Sequence, residues 1–229
     1  MKQLKRIPVV LLLLVCFLCL AYPNAASAQT AVYFNQTTFN NLLAPGYFTE
    51  LFNTLPANGA DGIPSPQPLS GGGFTFEARA DSGTLYGLPS AISTNSAGIN
   101  LFFDAFSPNV TAVGGDFFST DFSGAADFGP ITLTLVTLDP AGDYAQTFTS
   151  SSATSFMGFL SPGNPILYLE ISAPGFLDSP GQSFATAMNF EVGNVAETNG
   201  GTAPEPATFV LLGAGLIFGG LLRKRLSRV

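Results

Sequence analysis

Short segments rich in β-branched and aromatic residues, separated by Pro and Gly turn signals, fill the chain between residues 29 and 201. In one of them Ile131, Leu133 and Leu135 alternate with polar residues, which is the pattern of a strand with one buried face. The same criteria predict nine strands, at residues 31–34, 74–79, 99–106, 110–118, 131–138, 144–149, 155–160, 166–172 and 184–192. Nine short strands in one chain favour an all-β fold, and we predict an antiparallel β-sandwich.

Two segments depart from this strand pattern. Phe39, Leu42 and Leu43 have helical spacing and follow the pair Thr37-Thr38, so we expect one short N-terminal helix with a threonine cap. The stretch at residues 56–73 is rich in Pro and Gly and is predicted to be a loop.

The charge distribution excludes several classes of function. Fourteen of the 15 acidic residues lie between residues 29 and 203, where Arg79 is the single basic residue, so no phosphate-binding surface for nucleic acid is expected. Histidine is absent, and the two cysteines, Cys16 and Cys19, lie in the N-terminal apolar segment. The chain therefore lacks the residues for Ser-His or Cys-His nucleophiles and for histidine or thiolate metal sites.

The N-terminal segment is predicted to be a secretory signal peptide. Residues 1–28 combine a basic start, an apolar run and the small-residue triplet Ala26-Ser27-Ala28, which together match the charge, core and cleavage rules of such peptides. Cleavage after Ala28 leaves Gln29 as the first residue and makes signal peptidase and the general secretion machinery partners of the chain. The alternative is a retained membrane anchor.

The C-terminal segment is predicted to enter the membrane. Pro204-Glu205-Pro206 precedes an uncharged apolar stretch, residues 207–222, and a basic cluster of Arg223, Lys224 and Arg225 follows it. Sixteen residues at helical rise span about 24 Å, slightly less than a hydrocarbon core of about 30 Å. Because positive residues stay cytoplasmic, the acidic domain is expected outside the membrane. These features alone also fit an ordinary membrane anchor.

The order of Pro-Glu-Pro, a Gly-rich apolar helix and an Arg cluster resembles the PEP-CTERM sorting signal. The resemblance implies recognition by an exosortase, a membrane-embedded protease of Gram-negative exopolysaccharide producers. It also implies an inner-membrane-anchored precursor, cleavage near the tripeptide, and delivery to the cell surface or extracellular matrix. We accordingly divide the chain into a signal peptide, an acidic β-sandwich domain, a polar flexible stalk and the sorting signal, at residues 1–28, 29–193, 194–203 and 204–229.

The domain itself also resembles a known group. Residues 110–121, with the sequence VTAVGGDFFSTD, and shorter pieces at residues 156–159 and 189–193 are similar to extracellular β-sandwich domains found upstream of PEP-CTERM signals. This resemblance implies a jelly-roll or lectin-like fold. In such domains an Asp commonly precedes the Asn of the last strand, whereas this chain has Met188 before Asn189.

Phenylalanine is frequent, at 22 residues, and includes the adjacent pairs Phe102-Phe103 and Phe117-Phe118. Neighbouring strand residues point to opposite faces, so one ring of each pair enters the core. The other ring is either a surface platform for a ligand or part of a covered second face. The chain has no tryptophan, the strongest sugar-stacking side chain, and we therefore favour the covered face.

Carboxylates are the remaining candidates for chemistry. Asp116, Asp121 and Asp127 lie in one Gly- and Ser-rich region, and calcium prefers such oxygen ligands, although Asp in loops also caps turns. Calcium is thus the candidate cofactor.

We predict a non-catalytic module that binds glycan or serves structurally in the envelope or exopolysaccharide matrix. The alternative is a secreted glycoside-active enzyme that uses a carboxylate pair, and Glu77, Glu170 and Glu191 are then its strand candidates, projecting from one sheet.

Overall fold

Two antiparallel β-sheets stacked face to face form the part of the chain that the structure describes. The computed structural model describes residues 30–56, 62–138, 144–173 and 183–196, all within the compact unit Ala28–Glu197. Its strands are β1 (Ala31–Tyr33), β2 (Phe48–Glu50), β3 (Gln67–Gly71), β4 (Phe74–Ala80), β5 (Leu85–Leu88), β6 (Ala91–Thr94), β7 (Leu101–Ser107), β8 (Ala112–Thr120), β9 (Ala126–Asp127), β10 (Pro130–Thr137), β11 (Tyr144–Thr149), β12 (Phe156–Leu160), β13 (Ile166–Ser172) and β14 (Phe184–Gly193), and the helix is α1 (Gln36–Asn40).

The two sheets have different sizes. The eight-stranded front sheet has the order β1-β12-β8-β14-β6-β5, with β2 paired to β14 and β9 paired to β8. The six-stranded back sheet has the order β11-β10-β13-β7-β4-β3. This architecture confirms the predicted antiparallel β-sandwich.

The core lies between the sheets and is built by alternating side chains. In β10 Ile131, Leu133 and Leu135 are buried, as their spacing predicts, and each is flanked by less buried residues. Phe103 of the back sheet and Phe190 of the front sheet are both fully buried and stack on one another across the core. Aromatic contacts of this kind add to the free energy that their buried area contributes.

All nine predicted strands are present, with bounds shifted by two residues at most, and five further strands, β2, β3, β5, β6 and β9, were not predicted. The predicted loop at residues 56–73 is wrong where β3 lies. Pro68 is compatible with this strand because β3 is at the edge of the back sheet, where a missing backbone N–H is tolerated.

The central strands of the front sheet are buried on both faces. Every residue of β8 is buried, because the core covers one face and α1 with its flanking residues covers part of the other. Both phenylalanine pairs are buried, which confirms the covered-face interpretation. Phe102, on the outer face of the back sheet, lies under the guanidinium of Arg79 at 4.1 Å from the ring centroid.

Helix α1 rests on a gap in the front sheet. Gly114 of β8 and Gly158 of β12 are opposite one another in register, and the ring of Phe39 occupies the space that their side chains would take. The helix is capped by Asn35, whose Oδ1 accepts the Thr38 N–H at 2.8 Å, so the predicted threonine cap is wrong. Asn at this position satisfies a backbone donor that the first helical turn leaves free.

The end of β14 continues into residues that remain bonded to the domain. Asn194 Oδ1 accepts the backbone N–H of Thr111, and the Ala196 N–H donates to the carbonyl of Leu42. Residues 194–196 therefore belong to the domain and not to the predicted stalk. No helix within the described ranges is long and apolar enough to cross a membrane, and the predicted signal peptide and the span at 207–222 lie outside those ranges.

Candidate functional site

The outer face of the front sheet carries two polar regions. The first, which we call the rim pocket, is an open depression of about 380 Å³. It is lined by Tyr86, Ser93, Thr94, Asn95, Thr120, Asp121, Phe122, Gly124 and Phe184. The second, which we call the carboxylate–amide cluster, consists of Asp116, Glu191, Gln36, Asn40 and Asn189.

The buried hydroxyl groups of Ser93 and Thr120 line the floor of the rim pocket, and the Thr186 hydroxyl bonds to both. Thr186 Oγ1 lies 2.9 Å from Ser93 Oγ and 3.1 Å from Thr120 Oγ1, and all three residues are buried. These side chains come from β14, β6 and β8, three adjacent strands that place them on the same face. Because the hydroxyls bond to one another and to backbone carbonyls, the floor is held in one arrangement.

A compact turn carries the most exposed aromatic ring of the pocket. Asp121 Oδ1 accepts the Ser123 N–H at 2.8 Å, the Ser123 hydroxyl at 2.7 Å and the Ala125 N–H at 3.0 Å. The hydroxyl of Ser123 and then these backbone donors lower the pKa of Asp121. Between these anchors stands Phe122, whose surface is 86% exposed. Asp121 thus fixes a turn that presents an aromatic side chain to solvent.

The two carboxyl groups of the carboxylate–amide cluster are buried, and two side chains of α1 bond to one of them, Glu191. Asp116 of β8 is 4% exposed and Glu191 of β14 is 1% exposed. Gln36 Nε2 and Asn40 Nδ2 donate to Glu191 Oε1 at 2.6 and 3.3 Å, and Asn189 Nδ2 donates to Asp116 Oδ2 at 2.7 Å. Gln36 and Asn40 are four residues apart, so one face of α1 delivers both amides.

A bulge in β14 brings the last of these amides into place. The pairing of β14 with β8 shifts between Met188 and Glu191, and Asn189 within the bulge has a φ of 47°. Asn is among the few residues that adopt this left-handed conformation readily. The bulge redirects the Asn189 side chain towards Asp116, as bulges do near functional sites.

Burial dominates the electrostatics of this cluster. Burial raises the pKa of Asp116 above its ordinary value, and the hydrogen bond from Asn189 offsets only part of this effect. Burial also raises the pKa of Glu191, and the charge of Asp116 adds to the increase against the opposing hydrogen bonds from Gln36 and Asn40. The two carboxyl groups therefore hold protons more tightly than exposed ones.

The three aspartates predicted to bind calcium have separate partners. Asp116 is in the carboxylate–amide cluster, Asp121 holds its own turn, and Asp127 Oδ2 accepts the hydroxyl of Ser183 at 3.1 Å. Within the described ranges no group of three or more Asp, Glu, His or Cys side chains is close enough to hold a metal ion. Calcium binding by this trio stays a prediction.

The candidate glutamates do not share one sheet. Glu77 of β4 and Glu170 of β13 are in the back sheet, whereas Glu191 of β14 is in the front sheet, so the expectation of a single sheet is wrong. Sequence reasoning also missed the pair Asp116 and Glu191, which are 75 positions apart and meet only through the register of β8 and β14. It missed Phe122 as the exposed ring, because neither strand spacing nor a paired phenylalanine marks it.

Comparison with known proteins identifies the C-terminal segment. Residues 202–225 match the family model described as the PEP-CTERM protein-sorting motif. No curated protein and no solved structure gives a match. The matched residues include Pro204-Glu205-Pro206 and the basic cluster that begins at Arg223, all outside the described ranges. The motif implies exosortase processing, export through a membrane-anchored precursor and surface localisation, and the chain carries this C-terminal PEP-CTERM sorting motif together with a described part that is an antiparallel β-sandwich.

Proposed function

We propose that this surface protein is a non-catalytic module that binds a glycan of the envelope or exopolysaccharide matrix through the rim pocket. The observation that carries the proposal is the Phe122 ring, 86% exposed on a hydrogen-bonded turn at the edge of a polar pocket. A large apolar side chain held in solvent costs free energy unless a partner covers it, and its fixed position lowers the entropy cost of binding.

The chemistry of the pocket fits a saccharide. A pyranose ring has an apolar C–H face and a rim of hydroxyl groups. Phe122 and Tyr86 offer aromatic surface for the apolar face, while Asn95 and Asp121 offer polar groups beside it. Pockets of several hundred Å³ with a few convergent polar groups are typical of small-ligand sites.

Binding is better supported than hydrolysis. Glycosidases need two carboxyl groups that flank the substrate, and the lining of the rim pocket contains one, Asp121. That carboxylate accepts three hydrogen bonds within its own turn. The buried carboxyl groups of Asp116 and Glu191 are not part of the pocket lining, and Glu191 is bonded to side chains of α1.

A glycan array with the full-length chain, purified in mild detergent, identifies the ligand, and titration with the oligosaccharide that binds gives its affinity. Phe122→Ala is expected to weaken binding at least about tenfold, since this corresponds to about 1.4 kcal/mol of lost contact. Phe34→Ala is the matched control, because Phe34 is 63% exposed and lies outside the pocket.

A reducing-sugar release assay on the same ligand distinguishes binding from turnover. Binding without sugar release supports the module. Sugar release that Asp116→Asn or Glu191→Gln abolishes would establish the enzyme instead. Equal affinities of Phe122→Ala and the parent protein would remove the rim pocket from the proposal.

A further inference from the structure

The carboxylate–amide cluster contains buried oxygen atoms without a partner. Glu191 Oε1 accepts two amide donors, whereas Glu191 Oε2 has no hydrogen-bond partner within the described ranges. Asn40 Oδ1 is also buried and without a partner there. Both atoms are hydrogen-bond acceptors, so they cannot bond to one another. A proton or a cation would have to lie between them.

The orientation of the Asn40 amide follows from its other contact. Asn40 Nδ2 donates to Glu191 Oε1, and reversing the amide would place two oxygens against each other. Asn40 Oδ1 therefore faces away from Oε1 as a free acceptor. A buried acceptor left unpaired destabilises the folded state, and an unpaired buried carboxylate oxygen does so more strongly.

No basic side chain in the described part of the chain neutralises the cluster. Arg79 is the single Lys or Arg between residues 29 and 203, and it forms an ion pair with Asp104 on the outer face of the back sheet. Asp116 and Glu191 are thus two buried carboxyl groups surrounded by the neutral amides of Gln36, Asn40 and Asn189. Burying such charges without a counter-charge is strongly unfavourable, so the cluster takes up either protons or a cation from solution.

The identity and number of the oxygen atoms favour calcium. Calcium binds six to eight oxygens from carboxylates, amide carbonyls and water in variable geometry, whereas magnesium requires a near-ideal octahedron. The cluster supplies two carboxylates and one amide oxygen from three separate elements, β8, β14 and α1, and its Gln36 side is open to water. We propose that Asp116, Glu191 and Asn40 hold a calcium ion between α1 and the front sheet, at a site different from the Asp121 turn and from Asp127.

The experiment compares thermal unfolding of the full-length chain in chelator, in calcium and in magnesium. At free calcium of about 100 times the dissociation constant we expect the midpoint to rise by about 5–10 °C, with a clearly smaller rise in magnesium. Calorimetric titration should give one ion per chain.

Three substitutions locate the ion. Glu191→Gln keeps the size of the side chain and removes the charge, and it should abolish the calcium-dependent rise while leaving the protein folded in chelator. Glu170→Gln is the matched control, because Glu170 is a strand glutamate of the back sheet that accepts a hydrogen bond from Asn100. Its calcium response should equal that of the parent, as should the response of Asp127→Asn.

A direct structural measurement keeps the test independent of folding. A crystal grown with a lanthanide in place of calcium should show an anomalous peak about 2.5 Å from Glu191 Oε2. A peak elsewhere, an unchanged midpoint in calcium, an equal rise in magnesium, or a full rise in Glu191→Gln would each overturn the assignment. If the peak lies elsewhere, or if the midpoint does not change in calcium, a shared proton would be the group that satisfies the unpaired oxygen of Glu191.

Discussion

The rings of Phe103 and Phe190 stack with centroids 3.9 Å apart and planes 14° apart, one from each sheet. Both side chains are fully buried. Phe190 also packs against Phe76 of the back sheet, with the two ring centroids 5.4 Å apart. This stack therefore joins the two halves of the sandwich at the middle of the core.

Phe103→Ala is expected to lower the free energy of unfolding by about 3–5 kcal/mol, because it removes buried aromatic surface and leaves a cavity between the sheets. Urea unfolding measures the change. Phe128→Ala, at a ring that is 50% exposed, should change the free energy of unfolding by about 0.5 kcal/mol or less. A loss at Phe103 as small as that at Phe128 would contradict the central role of the stack.

Gly158→Ala is expected to destabilise the domain by about 1–3 kcal/mol, because the new Cβ overlaps the ring of Phe39 and pushes α1 away from the sheet. Gly129→Ala is the matched control, since a Cβ at Gly129 meets nothing within 4 Å. If the overlap is the cause, the double variant Gly158→Ala, Phe39→Ala should lose less free energy of unfolding than the sum of the losses in the two single variants.

The stability of the metal-free protein is expected to depend on pH through Asp116 and Glu191. Burial raises the pKa of both groups, so the folded chain binds more protons than the unfolded chain at pH values from about 4 up to the raised pKa. The free energy of unfolding contributed by these groups therefore falls as pH rises through that range and is constant above it.

Urea unfolding in chelator between pH 4 and pH 8 measures this dependence. Glu191→Gln removes one of the two titrating groups, so its stability relative to the parent protein should increase as pH rises. Other carboxyls, including the exposed Asp121 with its lowered pKa, are common to both proteins and cancel in the comparison. A difference between the two proteins that stays constant with pH would exclude the effect.

Exosortase cleavage is expected close to Pro204-Glu205-Pro206. Proline restricts the residue before it to extended backbone and is unfavourable inside a helix, so this tripeptide should be accessible as an extended chain. Mass spectrometry of the surface form in the native host should find no peptides from residues 207–229. Recovery of such peptides from that form would indicate a retained membrane anchor.

Local patterns in the sequence were sufficient to predict most of the strands. The alternation in residues 131–138 and the β-branched content of residues 166–172 correspond to β10 and β13, because half-buried strands impose a period of two. β6 was missed because all four of its residues are buried, so that Ala91–Thr94 shows no alternation. β9 is two residues long and carries too little pattern to be recognised.

The candidate site was less accessible to such reasoning. Asp116 and Asn189 could be assigned to strands, but their contact depends on a bulge that changes the register of β14 against β8. The pattern of apolar residues does not encode that shift. Asn40 and Glu191 likewise meet only because Phe39 sits over Gly114 and Gly158, which is a property of three distant segments.

The position of β14 has a mechanical consequence for a domain that is held by its C-terminal side. β14 pairs with β8 along one edge and with β6 and β2 along the other, so it is anchored by hydrogen bonds on both sides. A pulling force transmitted from beyond Gly193 enters this central strand, and the hydrogen bonds on both of its sides resist together. The same force applied to an edge strand such as β3 or β11 would be resisted by a single ladder, so a domain that ends in β14 withstands a pull from its C-terminal side better than one that ends in an edge strand.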